Sequence, residues 1–214
     1  MPHPKIRDNQ LSIQRYRAHA AGYDASAQRS MPLRLRTIAL LGLRPGDVVL
    51  DVGAGTGLSF APLLEAVGPE GRVLAFEQSP EMYALAVARV EREQWNTIWQ
   101  RNEAAETIQL PQAPDAMLFN YVHDISCTPE AVDNLLRQAK PGARIAMAGM
   151  KYFPLWMGPL NLLPWLKNRR YNAEARDMWR PWRRVASYCQ SFEWTSTHYG
   201  TGYIAHGVLK GTSE

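Results

Sequence analysis

Val49-Leu50-Asp51-Val52-Gly53-Ala54-Gly55-Thr56-Gly57-Leu58-Ser59 is the stretch that decides the fold of this 214-residue chain. Val48 to Val52 is a short apolar run that reads as a buried strand. The three glycines behind it let the chain turn tightly and let a ligand approach bare backbone. A helix is expected to leave at about Leu58 and run to Val67, with Pro62 in its first turn. Asp51 is delivered at the strand end. A carboxylate there can accept hydrogen bonds from ligand amino or hydroxyl groups, or orient the loop amides.

Outward from this unit, apolar runs alternate with helical patterns. Val73 to Phe76 is a second strand. Ser79-Pro80-Glu81 then reads as an N-cap with proline at the first helical position, opening a helix to about Gln94. Thr97 to Arg101 and Ala116 to Asn120 are further strands. Thr128-Pro129-Glu130 repeats the cap-then-proline pattern ahead of a helix to about Ala139, and Arg144 to Ala148 is a fifth strand. Before the first strand, Leu33 to Leu41 is apolar at helical spacing, and Arg44-Pro45-Gly46-Asp47 is a turn. Apolar strands alternating with helices predict an α/β fold, a parallel sheet with helices on both faces. Phe192 to Thr197 and Tyr203 to Leu209, around His198 to Gly202, predict an antiparallel pair that adds one reversed strand near the C-terminus.

Composition bounds the rest. The chain carries a formal charge of +4, two cysteines and no repeat or low-complexity segment. Cys127 and Cys189 lie far apart, outside any metal-ligand spacing, so neither a disulfide framework nor a metal site is expected. The N-terminus has no apolar run of a secretory signal, and no run of about 18 apolar residues occurs. A cytoplasmic protein is expected.

Glu77, twenty residues beyond Gly57 at the end of the second strand, stands where an acid accepts from both hydroxyls of a ribose. Two nucleotide ligands fit a glycine turn followed by such an acid. A nicotinamide cofactor carries a pyrophosphate and prefers glycines spaced G-x-G-x-x-G; here Leu58 stands where the last glycine falls. S-adenosylmethionine has no phosphate and carries an ammonium, a carboxylate and a sulfonium, which suit an acid at the loop.

VLDVGAGTG with Glu77 resembles the class I S-adenosylmethionine-dependent methyltransferases, over about residues 20–148 and the last two strands. Tyr23-Asp24 and LGLRPGDVVLDVGAGTG are similar to the branch that includes quinone-biosynthesis and phospholipid methyltransferases. The resemblance implies a Rossmann-like, mostly parallel seven-stranded sheet in a single domain. Residues 1–30 would form an N-terminal lid, 31–150 the cofactor-binding core, 151–190 a cover on the substrate side and 191–214 the last two strands.

It also implies residue roles. Asp51, Gly53, Ala54 and Gly55 would hold the methionine end, and Glu77 the ribose, with Gln78 beside it. Glu103-Ala104 take the place of the acid–alanine pair that receives the adenine amino group, with Asn102 as the alternative. Asn120 would sit beneath the methionine moiety. Tyr16 and Tyr23 would contribute to the lid.

Asn120-Tyr121-Val122-His123-Asp124 leads off the fourth strand, at the end of the sheet where ligands bind. His123 in neutral form can take a proton from an attacking hydroxyl or amine, with Asp124 orienting it or binding a positive acceptor. The alternative is a histidine that caps or packs the loop. His198 and His206 are expected to be structural.

Lys151 to Trp182 is rich in proline, tryptophan and arginine. It fits a pocket wall for an apolar or aromatic acceptor, an interfacial segment on an anionic membrane, or a covering subdomain with homodimer contacts. A nucleic-acid or protein acceptor is disfavoured, the former by the modest charge and the missing N-P-P-Y motif. The expected function is methyl transfer from S-adenosylmethionine, leaving S-adenosylhomocysteine, to an oxygen or nitrogen of a small or lipid-like acceptor. A nicotinamide-dependent oxidoreductase and a non-catalytic cofactor-binding protein are the alternatives.

Overall fold

The computed structural model describes residues 30–153, 157–158, 161 and 178–211. Seven strands form one sheet: β1 (Val48–Asp51), β2 (Arg72–Phe76), β3 (Ile98–Arg101), β4 (Ala116–Asn120), β5 (Arg144–Met150), β6 (Cys189–Thr197) and β7 (Gly202–Leu209). Their spatial order is β3-β2-β1-β4-β5-β7-β6. β1 to β5 pair in parallel, and β7 runs antiparallel to both β5 and β6. The α/β class, the parallel core and the single reversed strand agree with expectation.

The helices are α1 (Met31–Leu40), α2 (Phe60–Val67), α3 (Pro80–Glu93), α4 (His123–Ser126), α5 (Pro129–Arg137) and α6 (Arg183–Ser187). Two apolar layers sandwich the sheet, because successive strand side chains point to opposite faces. Val49, Val73, Ala75, Leu118 and Ala146 meet Ile38, Leu41, Phe60, Leu63 and Ala86 from α1, α2 and α3. Leu50, Leu74, Met117, Phe119, Ile145 and Met147 meet Val132, Leu135, Leu136, Trp182 and Val185 from around α5 and α6.

Several boundaries moved for local reasons. Ser79 caps α3 as expected, its hydroxyl accepting from Met82 N at 3.4 Å. Thr128 stands at the cap position of α5, but its hydroxyl donates to Asp124 O at 2.5 Å instead. The unforeseen short α4 leaves that carbonyl in need of a donor. α2 opens at Phe60, two residues later than Leu58, because the chain is still turning there: Gly57 N donates to Ala54 O and Phe60 N to Gly57 O. β6 starts at Cys189, and a register shift between Cys189 and Ser191 hid its beginning from the alternation.

The C-terminal end of α1 is tied to the amino edge of the sheet. Arg144 at the start of β5 donates to Gly42 O and, at 2.6 Å, to Asp47 Oδ2. The same Asp47 oxygen accepts from Arg44 N at 2.6 Å. Of the proposed cover, residues 178–190 are described in full. Trp182 is buried, with its ring 4.5 Å from that of Trp194 and 4.7 Å from that of Tyr203. Among the described residues, no helix is long and apolar enough to cross a membrane. Tyr16 and Tyr23, with the rest of residues 1–29, lie outside the described residues.

Candidate cofactor site

β1 connects towards β2 on one side of the sheet, and β4 towards β5 on the other. The gap between the carboxyl ends of β1 and β4 is therefore the switch point, where ligands of open α/β sheets bind. Asp51 ends β1 and Asn120 ends β4. A cleft opens there, lined among others by Gly53, Ala54, Gly55, Glu77, Gln78, Asn120 and Asp124.

The glycine turn is held from both sides. Gly53 has φ 59°, and a Cβ on it would come within 2.9 Å of Val122 Cγ1 and Ile125 Cδ1. Only glycine meets both demands. Gly55 has φ 60°, and its N–H donates to Glu77 Oε2 at 3.0 Å. Glu77 Oε1 accepts from Ser79 N at 2.8 Å. The β2 acid thus pins the β1 turn to the start of α3. Burial pushes its carboxyl above the usual range, and these backbone N–H groups pull against that.

Asp51 is different. It is buried, and its Oδ2 has no hydrogen-bond partner. Burial raises its carboxyl from 3.8 to about 7; Arg34 and the Ser59 hydroxyl lower it and Glu77 raises it further. Asn120 is buried as well, with both Oδ1 and Nδ2 unpartnered. Buried polar atoms are nearly always paired, so three orphans at one switch point mark a place made for a polar ligand.

Other anticipated residues lie elsewhere. His123 opens α4 with its ring turned away from the cleft lining, against Gly149 and, edge-on at 6.3 Å, Tyr203. Its Nε2 lies 2.5 Å from Met150 O and 3.0 Å from Met150 N. Nε2 donates to the carbonyl in one tautomer and accepts from the Met150 N–H in the other, so either way the ring is held by the Met150 backbone. Burial holds this imidazole below its usual value, opposed by Met150 O and Asp124. Glu103 and Ala104 are absent from the cleft lining, where Ala105 stands instead. Asn102 Nδ2 donates to Glu77 O at 2.7 Å. His206 Nε2 lies 3.8 Å from Glu193 Oε2 on the outer strands, away from the cleft.

The sequence reading missed Arg34 and Tyr121, both on the cleft. Arg34 occupies the stripe Arg34, Thr37, Ile38, Leu41 of α1, all buried. A charge on an i, i+3, i+4, i+7 apolar stripe was the available signal. Its guanidinium lies 5.2 Å from the centre of the Tyr121 ring. Tyr121 has φ 61°, a left-handed backbone costly for a residue with a side chain and commonest at functional sites.

A glycine turn after β1, an acid on β2 and orphaned polar groups at the switch point of this strand order define a class: the Rossmann-like methyltransferases. Solved structures share the fold. The N-methyltransferase NodS from Bradyrhizobium japonicum, in complex with S-adenosyl-L-homocysteine, matches with a TM-score of 0.65 at 14% identity, over 93% of this chain and 98% of that one. The family model for protein-L-isoaspartate(D-aspartate) O-methyltransferase matches residues 7–149, and the chain belongs to that family, within the class I S-adenosylmethionine-dependent methyltransferase superfamily. A protein-L-isoaspartate O-methyltransferase of Triticum aestivum is 33% identical over 107 residues, 49% of this chain and 46% of that protein. A 2-phytyl-1,4-naphtoquinone methyltransferase of Synechococcus elongatus is 32% identical over 117 residues, 52% of this chain and 50% of that one. The chain spans about half the length of the curated relatives it matches.

Proposed function

We propose that this protein transfers the methyl group of S-adenosylmethionine to a carboxylate oxygen of an aspartyl-derived residue in a protein or peptide. The observation that carries the cofactor part is the set of orphaned atoms at the switch point, Asp51 Oδ2 and both polar atoms of Asn120. Each unpaired buried group costs roughly 1–3 kcal/mol, a cost relieved by a ligand with matching donors and acceptors. An ammonium suits Asp51, and the acid on β2 suits a ribose.

When bound, S-adenosylmethionine supplies an electrophilic methyl carbon: the acceptor oxygen bonds to it as the carbon–sulfur bond breaks and the electron pair stays on sulfur. Family membership supports the carboxylate acceptor. A carboxylate is already ionised at neutral pH, so the attacking group has no proton to give up. His123, held by the Met150 backbone away from the cleft lining, fits a site that needs no base there. The work left to the protein is positioning: Asp51, Asn120 and the Gly53–Gly55 turn would fix the donor, and Tyr121 lines the same cleft.

A small or lipid-like acceptor is the second reading. It is favoured by the comparable identity to the naphthoquinone enzyme over a similar share of the chain. The test offers methyl-labelled S-adenosylmethionine with an isoaspartyl peptide, its aspartyl isomer and a prenylated quinol. Label on the isoaspartyl peptide that mild alkali releases as methanol supports the ester. Alkali-stable label on the quinol moves the acceptor to the second reading. Failure to bind S-adenosylhomocysteine removes the cofactor assignment.

A further inference from the structure

We infer that Arg34, on the buried stripe of α1, is the anion-binding residue of the cleft and grips the carboxylate at the amino-acid end of the cofactor. The inference rests on the cofactor part of the proposed function. It starts from a charge that nothing in the apolar stripe explains. Arg34 is 6% exposed, yet it lines the cleft. Its Nε donates to Ser30 Oγ at 3.1 Å, and its guanidinium carbon lies over the Tyr121 ring. Among the described residues, its two terminal nitrogens have no hydrogen-bond partner.

Charge balance selects the ligand group. Beyond Arg34 lies Asp51, close enough for the guanidinium to be the strongest influence lowering its carboxyl. The pair is not a closed salt bridge, since Asp51 Oδ2 stays unpartnered. A buried anionic side chain at the end of β1 and a cationic one on the cleft wall, held apart, match a zwitterion. The ammonium of an α-amino acid answers Asp51, its carboxylate answers the guanidinium fork, and the amide of Asn120 can serve either. A lone anion would leave Asp51 unpaired. A sulfonium without its carboxylate would face Arg34 as a like charge. The Tyr121 ring beneath the guanidinium carbon attracts the cation through its π face.

Nearby acids argue the same way. Glu77 is engaged with Gly55 N and Ser79 N. Asp124 sits at the α4 end of the cleft and is hydrogen-bonded or ion-paired already. Arg34 therefore remains the cation available to a carboxylate at this end of the cleft, among the described residues.

The experiment measures binding, by calorimetry, of S-adenosylhomocysteine and of its decarboxylated counterpart to wild-type protein and to Arg34→Met. Wild type should prefer the carboxylated ligand by on the order of 10- to 100-fold, the range for a charge-assisted hydrogen-bonded group. Arg34→Met should bind both ligands about equally, with its affinity for the decarboxylated one unchanged or improved by the lost repulsion. A variant that keeps the wild-type preference overturns the assignment, as does equal loss of both ligands, which would mark a structural role. Should the variant fail to fold, wild type alone decides, because equal affinity for the two ligands excludes a carboxylate grip. Wild type that binds neither ligand overturns the proposed function along with it.

Discussion

Glu77 and Asp51 stand at the carboxyl ends of neighbouring strands, Glu77 on the cleft lining and Asp51 buried outside it, and they are treated in opposite ways. Both oxygens of Glu77 are engaged, by Gly55 N at 3.0 Å and Ser79 N at 2.8 Å. Asp51 leaves Oδ2 with no partner and carries a carboxyl raised by burial to about 7. The difference separates architecture from reserve. The β2 acid stabilises the glycine turn, whereas the β1 acid keeps an unpartnered oxygen at a cost to the folded state.

The sharpest break is Asp51→Asn. It should lower affinity for S-adenosylhomocysteine by at least about 100-fold, since a buried charge-assisted contact is lost and an amide donor faces the ammonium. The same change should stabilise the unliganded protein. Asp51 binds its proton more tightly folded than unfolded, so its contribution to stability is most favourable at low pH. That contribution declines as pH rises from about 4 through 7. The variant's melting temperature should exceed wild type above pH 7, and the gap should close towards pH 4. A variant less stable than wild type at pH 8 would break the comparison.

Next in size is the pH dependence of binding to the wild type. The ammonium needs Asp51 ionised, so affinity should rise with pH up to about 7 and then level off. Well below that point the slope should approach tenfold per pH unit, the limit for one linked proton. Calorimetry in buffers of different ionisation enthalpy should show proton release at pH 6.5 that fades by pH 8. A flat profile would mean that Asp51 is ionised before the ligand binds.

Glu77→Gln should cost about tenfold in affinity and, unlike the change at Asp51, about 1–3 kcal/mol of stability, because one backbone N–H then meets an amide donor. Denaturant unfolding alongside a ligand titration reads both. Smallest on the affinity scale is His123→Ala, which should shift S-adenosylhomocysteine binding by less than about twofold while costing about 1–3 kcal/mol through the lost bond to the Met150 backbone. A large loss of affinity there would bring the imidazole back to the cofactor.

Much of the donor side could be read from local signals. Glycine turns and apolar strands announce themselves within ten residues, so Asp51, Gly53, Gly55, Glu77 and Asn120 were named from sequence and all border the switch point. What escaped depends on distance along the chain. Arg34 reaches the cleft because α1 packs across β4 and β5. α4 spans four residues, too few for a helical period to register. The lining position after β3 falls on Ala105, because the chain turns at Ala104, whose carbonyl accepts from Thr107 N and Ile108 N. The direction of the His123 ring follows from the space that Gly149 leaves on β5, which adjacency to Asp124 does not foretell.

The clamp formed by Arg144 on Gly42 and Asp47 makes α1 a lever with its fulcrum at the amino edge of the sheet. Arg34 lies eight residues before Gly42, about 12 Å along the axis at the usual helical rise. A tilt of roughly 5° about that pivot carries the base of the guanidinium by about 1 Å, which matches the tolerance of a bidentate hydrogen bond. An electrostatic tie at the far margin of the sheet therefore anchors one end of the helix whose Arg34 lines the cleft.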